Sequence, residues 1–180
     1  MTPPPADTAR ASGELRLRPP RHRVERRAIA YWTLRAGLIS GAIVVEPAIA
    51  AAVLQFVEAP PLLVIGLWIL TAVAAVPALA FIVTMPQWRY RVHRWETTDD
   101  AVYTLAGWLW QEWRVAPMSR IQTVDTQRGP LQRLFGLATI TVTTASAAGA
   151  LRIDGLDAER AAEIAERLTE ATQAVQGDAT

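Results

Sequence analysis

The sequence predicts a two-helix membrane hairpin followed by an α+β domain, an antiparallel β-sandwich or partly open barrel capped by a C-terminal α-helix. Three observations predict it. Two long runs between residues 36 and 85 are almost free of charge, short period-two stretches begin after residue 86, and the C-terminal stretch carries apolar side chains at helical spacing.

The chain starts with residues rich in Pro, Arg, Ala and Thr that show no sustained periodicity, so 1–27 read as a disordered basic cytoplasmic tail. The stretch makes a poor signal peptide, because its arginines continue past residue 20 with no apolar core among them. Every basic side chain other than histidine is Arg. The net charge of +1 says little beside its uneven distribution. The absence of cysteine excludes disulfides, thiolate catalysis and Cys-based metal sites.

Residues 28–85 form the hairpin. The first span, 36–57, has one charge, Glu46, and the second, 62–85, has none. A hydrocarbon core of about 30 Å needs roughly 20 helical residues, so each run can cross it. Glu58 and Pro60-Pro61 interrupt the apolar run, and the short connection leaves room only for a tight turn. Arginines crowd before the first span and after the second, at Arg89, Arg91 and Arg94, while the connection has none. The positive-inside rule puts both termini in the cytoplasm and the protein in the cytoplasmic (inner) membrane. Tyr31, Trp32 and Trp88 read as interfacial aromatics.

Glu46 falls at mid-span, where a carboxylate is costly unless it is paired or faces a protein interior. Three readings stand: a proton or ion relay, a polar contact to a partner helix, or a tolerated acid beside a kink at Pro47. No second acid, His or Arg lies in either apolar stretch to complete a relay. Pro77 predicts a kink in the second span.

Residues 86–175 form the cytoplasmic domain. Trp88, Tyr90 and Val92 alternate with Arg89, Arg91 and His93, which predicts a first strand. The acidic stretch Glu96–Asp100 predicts a turn, Ala101–Ala106 a strand, Gly107 a hairpin, and Trp108 to Val115 a strand ended by Pro117. Ile121–Thr126, Ala138–Thr144 and Ala150–Ile153 predict further strands, with Ala147-Ala148-Gly149 turning the chain between the last two. Asp157 can cap the closing helix, whose stripe is Ala161, Ile164, Ala165, Leu168 and Val175. Residues 176–180 read as a disordered C-terminus.

Motif chemistry points away from catalysis. There is no G-x-S-x-G, P-loop, dinucleotide fingerprint or metal-ligand spacing, so no cofactor or metal is expected. His93 alternates with arginines as a solvated strand residue would, and Asp99-Asp100 suit a turn. Positive-inside topology accounts for the basic tail without nucleic acid.

Several segments carry a resemblance. Arg89-Tyr90-Arg91-Val92, Val115-Ala116-Pro117 with Arg120-Ile121-Gln122 and Val124, and above all Gln127-Arg128-Gly129-Pro130-Leu131-Gln132-Arg133-Leu134-Phe135-Gly136-Leu137-Ala138 resemble the second type of bacterial pleckstrin-homology-like (PH-like) domain, found in YdbS-like membrane proteins. The likeness spans roughly residues 28–172. It implies a PH-like sandwich with a C-terminal helix at the inner membrane face. For some members it also implies action with a larger multi-span PH-like relative in resistance to antimicrobial peptides. Such a relative, or self-association, is therefore the expected protein partner, and membrane lipids the expected surroundings.

Two binding readings follow. In one, Trp108 and Trp110 on a strand face, Glu46, and the Leu131 and Phe135 of the signature segment make partner contacts. In the other, Arg89, Arg91, Arg94, Arg128 and Arg133 meet anionic lipid headgroups, with Leu131 and Phe135 in the lipid interface. A plug for one end of the barrel is the alternative use of the signature turn. Phosphoinositide-type PH domains bind headgroups through basic residues between their first two strands. The corresponding Glu96–Asp100 carries three acids and no base, which argues against such a pocket.

Overall fold

The computed structural model describes residues 19–146 and 149–177, side chains of 174–177 excepted. A two-residue strand, β1 (His22–Arg23), precedes helices α1 (Arg27–Phe56) and α2 (Pro61–Val92). At 1.5 Å per residue these 30- and 32-residue helices run about 45 and 48 Å, well beyond a hydrocarbon core of about 30 Å. Their most apolar windows are 11% and 0% buried, so the apolar faces are not those of core helices in a soluble protein. The hairpin turn is a Schellman motif. Ala59 N–H donates to Leu54 O and Glu58 N–H to Gln55 O, with Glu58 itself at φ 53°.

The domain adds β2 (Arg94–Thr97), β3 (Ala101–Gly107), β4 (Gln111–Pro117), a 3-10 turn at Met118–Arg120, β5 (Ile121–Gln127), α3 (Pro130–Leu134), β6 (Leu137–Thr144), β7 (Leu151–Asp157) and α4 (Ala158–Gly177). The strands form two antiparallel sheets, β1-β2-β3-β4 and β5-β6-β7, so the domain is a sandwich and not a closed barrel. Ile140, Val142, Ile153 and Leu156 of one sheet meet Trp95, Val102 and Ala116 of the other. The α4 stripe of Ala161, Ile164 and Leu168 closes the core; the Val175 side chain lies outside the described residues. Asp157 Oδ1 accepts from the N–H groups of Glu159 and Arg160, which is the expected N-cap.

Four local expectations are corrected. Residues 88–92 are the last turns of α2, not a strand, because a helix already formed across the membrane extends without a new nucleation cost. The first strand of the domain after the hairpin is instead Arg94–Thr97, so Glu96 belongs to β2, where it is buried and pairs with Arg21 at 3.4 Å. Trp108 and Trp110 do not share a strand face. They lie in the β3–β4 turn, where Gly107 takes φ 128° and a Cβ on it would sit 1.8 Å from the Trp110 carbonyl oxygen. From residue 19 the segment expected to be a disordered tail is ordered: Pro20 and Val24 are buried and β1 pairs with β2. Residues 147–148 of the expected turn lie outside the described residues.

The two long helices enter the domain at one glycine. Gly155 is the extra residue of a bulge in β7, since Ala138 pairs with Leu156 and Thr139 with Asp154. It has φ 80°, its carbonyl accepts from Glu25 N–H at 2.9 Å, and a Cβ there would meet Ala28 Cβ at 2.9 Å and Trp32 at 3.5 Å. Gly155→Ala is therefore expected to destabilise the full chain by about 2 kcal/mol or more, from left-handed strain plus displacement of α1. Gly149→Ala shares a positive φ of 78° but meets nothing within 4 Å, and should cost only about 1 kcal/mol. Thermal unfolding of both variants in detergent checks the difference. Equal losses would show that the α1 contact adds nothing.

Candidate functional site

The overrun of α1 and α2 past the membrane brings their polar ends together over β6 and β7. Trp32, on the first turns of α1, is 1% exposed and sits in the domain core. The sequence assigns it to the membrane interface; the correction follows from α1 starting inside the domain. On α2, the Arg89 guanidinium stacks on the Trp32 ring at 4.6 Å, and its Nη2 donates to Asp154 Oδ2 at 3.0 Å.

Asp154 is held from its other side. Thr139 Oγ1 donates to Asp154 Oδ1 at 3.0 Å, Gln132 Nε2 donates to Thr139 Oγ1 at 2.8 Å, and Gly129 N–H donates to Gln132 Oε1 at 2.8 Å. A continuous donor-to-acceptor relay thus joins the Gly129–Gln132 turn to the cation on α2. Burial pushes Arg89 below its usual value; Asp154 opposes that shift, and the neighbouring charges of Arg35 and Arg152 add to it.

His93 completes the junction. Its ring meets Trp32 edge-on at 5.2 Å, and its Nδ1 lies 3.1 Å from the Arg89 carbonyl, an acceptor, so Nδ1 carries the proton. Nε2 then faces Arg89 Nε at 3.5 Å as an acceptor. Burial, and secondarily the charge of Arg89, push His93 down to about 4, with Asp154 opposing. It is a buried neutral imidazole and not the solvated strand residue the alternation suggests.

The junction separates two spaces. One, of about 250 Å³, is lined by Tyr31, Trp32, Arg35, Gln132, Arg152 and Asp154 among others. The other, a cleft of about 500 Å³, lies between α2 and the ends of β3, β4 and β7.

The residues singled out from sequence fall in different places. Arg89 is committed to Asp154 and Trp32. Arg91 is exposed on the last turn of α2, and Arg94 is half-buried in β2. Arg128 is exposed just before α3 and Arg133 is exposed on its last turn. Phe135 is turned inward, edge-on to Tyr31 at 6.3 Å, and Leu131 is half-buried, while Leu134 is the apolar side chain of that segment left outside. Glu46 is exposed on α1, some 14 residues or about 21 Å along the helix from Trp32. Asp154, Thr139 and Arg152 were not singled out. Thr139 has a visible signal, being on the polar face of an alternating strand, whereas Asp154 lies 65 residues from its partner.

The profile of a bacterial PH domain matches residues 32–172, so it takes in the hairpin as well as the sandwich. The chain belongs to the bacterial PH domain family. Within that family it is 32% identical over 130 residues to the UPF0699 transmembrane protein YdbS of Bacillus subtilis (strain 168), covering 71% of this chain and 78% of that protein. No solved structure matches. The transmembrane relative and the two apolar helices together make this bacterial PH domain protein a membrane protein.

The buried imidazole has a pH consequence. Because His93 is depressed to about 4 from an ordinary 6.5, the unfolded chain takes up its proton first as pH falls. Its contribution is complete above pH 6.5, and about 3 kcal/mol of stability should be lost between there and pH 4. His93→Phe, which keeps a ring against Trp32, should flatten that part of the pH profile in chemical unfolding of the full chain. Identical slopes for the two proteins would refute a neutral buried His93.

Proposed function

We propose that the protein is a non-catalytic, membrane-anchored PH-like interaction module at the inner face of the cytoplasmic membrane, acting as a subunit or scaffold of a cell-envelope complex. Resistance to antimicrobial peptides or envelope stress is the setting that the resemblance implies. The arginines flanking the spans, set against a connection with none, support the orientation with both termini in the cytoplasm.

The observation that carries the reading is Glu46. It stands at the centre of the first span, and α2 leaves it exposed. A carboxyl at that depth needs a polar partner or a protein interior, and a second polypeptide in the membrane supplies either. The relay reading gains nothing, since no other ionisable side chain occurs in either span. Membrane-embedded hydrogen bonds are worth about 0.6 kcal/mol on average and up to about 1.7 kcal/mol.

A photoreactive amino acid at position 46 of the full chain, in native membranes, is expected to yield one discrete cross-linked protein species, either a larger PH-like relative or a second copy. Glu46→Leu should weaken recovery of that partner by about threefold to tenfold. Adducts to lipid alone, with a monomer recovered after mild cross-linking, would count decisively against the reading.

A further inference from the structure

The cleft beside α2 changes character along its length. At its deep end lie Phe81, Met85 and Trp108; at the other lie Arg89, Arg114, Arg152, Glu112 and Asp154. Phe81 and Arg89 are eight residues apart on one helix, about 12 Å along its axis. Phe81 falls within the second span and Arg89 just beyond it. The interfacial zone on each side of a bilayer is only about 5–8 Å thick, so the cleft crosses from headgroup level into hydrocarbon.

The β3–β4 turn forms the cleft's outer wall and is held at that depth by an edge-on contact between Trp108 and Phe81, 5.3 Å between ring centroids. The turn follows a strand without charge, and its tip residues Leu109 and Trp110 are 72% and 87% exposed. A bare apolar tip at the depth of a membrane span is in lipid, not water.

The polar end is set up for an anion. Arg89 pairs with Asp154, and Arg114 donates to Glu112 at 2.6 Å and to the Ala150 carbonyl at 2.7 Å. A guanidinium has five N–H donors, and these contacts together with His93 take two from each arginine. Arg152 is exposed and makes no ion pair among the described residues. Three guanidiniums therefore face two carboxylates.

We propose that this cleft is a binding site for one anionic phospholipid of the leaflet on the domain's side. The phosphate lies against Arg152, with Arg89 and Arg114 beside it, and the first acyl segments run along Phe81, Met85 and Trp108. An apolar wall continuous with the membrane span is what commits the site to a lipid instead of a free anion. A space of about 500 Å³ is within the ordinary range for small-molecule sites. The site is independent of any protein partner and needs only that the spans lie in a bilayer.

The test uses the full chain in vesicles of phosphatidylcholine and phosphatidylglycerol at constant composition, with bromine on the acyl chains of one lipid or the other. The signal is the tryptophan fluorescence that Trp108→Phe removes, a change that keeps a ring against Phe81. Brominated phosphatidylglycerol should quench it more than brominated phosphatidylcholine at equal mole fraction. Arg152→Gln should cut that preference about fivefold, and Arg91→Gln should leave it unchanged. Native mass spectrometry of the full chain should show a retained phosphatidylglycerol that Arg152→Gln loses, which serves as a readout independent of Trp108. Equal quenching by the two lipids would mean that bulk lipid fills the cleft. A preference that follows Arg91 instead of Arg152 would reduce it to surface charge. Abolition by inorganic phosphate in the buffer would make the site one for free anions. Any of these outcomes overturns the proposal.

Discussion

Arg89 poses the problem that the junction solves. A helix leaving the bilayer does not stop at the interface, and α2 carries a guanidinium into the space between membrane and sandwich. A half-buried cation there must find a counter-charge and a surface that tolerates it. Asp154 supplies the first and the face of Trp32 the second. Trp32 can be in place only because α1 begins inside the domain, wedged at Gly155. Asp154 can be aimed only because Thr139 and Gln132 hold its other oxygen. Remove the cation and the relay from the Gly129 turn ends on an uncompensated carboxylate. Remove the carboxylate and a charge is stranded against an indole.

Such a pair contributes little net stability compared with an apolar replacement of the same shape, but it is expensive to break from one side. It acts mainly as a latch that fixes geometry. The same contacts that join α1, α2, β6 and β7 also fix which part of the sandwich faces the bilayer. The β3–β4 turn lies beside Phe81 because α2 is locked at Arg89, eight residues further along. The exposed Arg128 and Arg133 are held through the Gly129–Gln132 turn, which the relay ties to the same point.

Elements were legible where the signal is local. The spans announce themselves by length and lack of charge, β3 by the turn residues on either side of it, and β6 and α4 by unbroken periodicity. Residues 88–92 misled because five alternating residues fit a strand as well as they fit the end of a helix, and only continuity with the span decides between them. Strand β1 is too short to have a period at all. The tryptophans of the β3–β4 turn look like strand residues until Gly107, at φ 128°, folds the chain back ahead of them. The site was legible only in part. The Gln127–Ala138 segment stands out as a signature, yet its sequence does not say that Gln132 reaches Thr139 or that Asp154 waits on the strand beyond. Those facts come from pairing register and from a bulge at Gly155, and no local pattern encodes either.

Glu46 and Arg89 invite comparison, since both are ionisable groups on long apolar helices. Arg89 is satisfied within the chain because the overrun places it against β7. Glu46 lies at mid-span, where the neighbouring helix among the described residues is α2, whose apolar stretch has no ionisable group. Among the described residues the fold supplies partners at the membrane edge and none at its centre. The described residues solve the first problem with a four-residue relay and leave the second open inside the bilayer. The proposed partner helix answers that requirement at the depth where it arises.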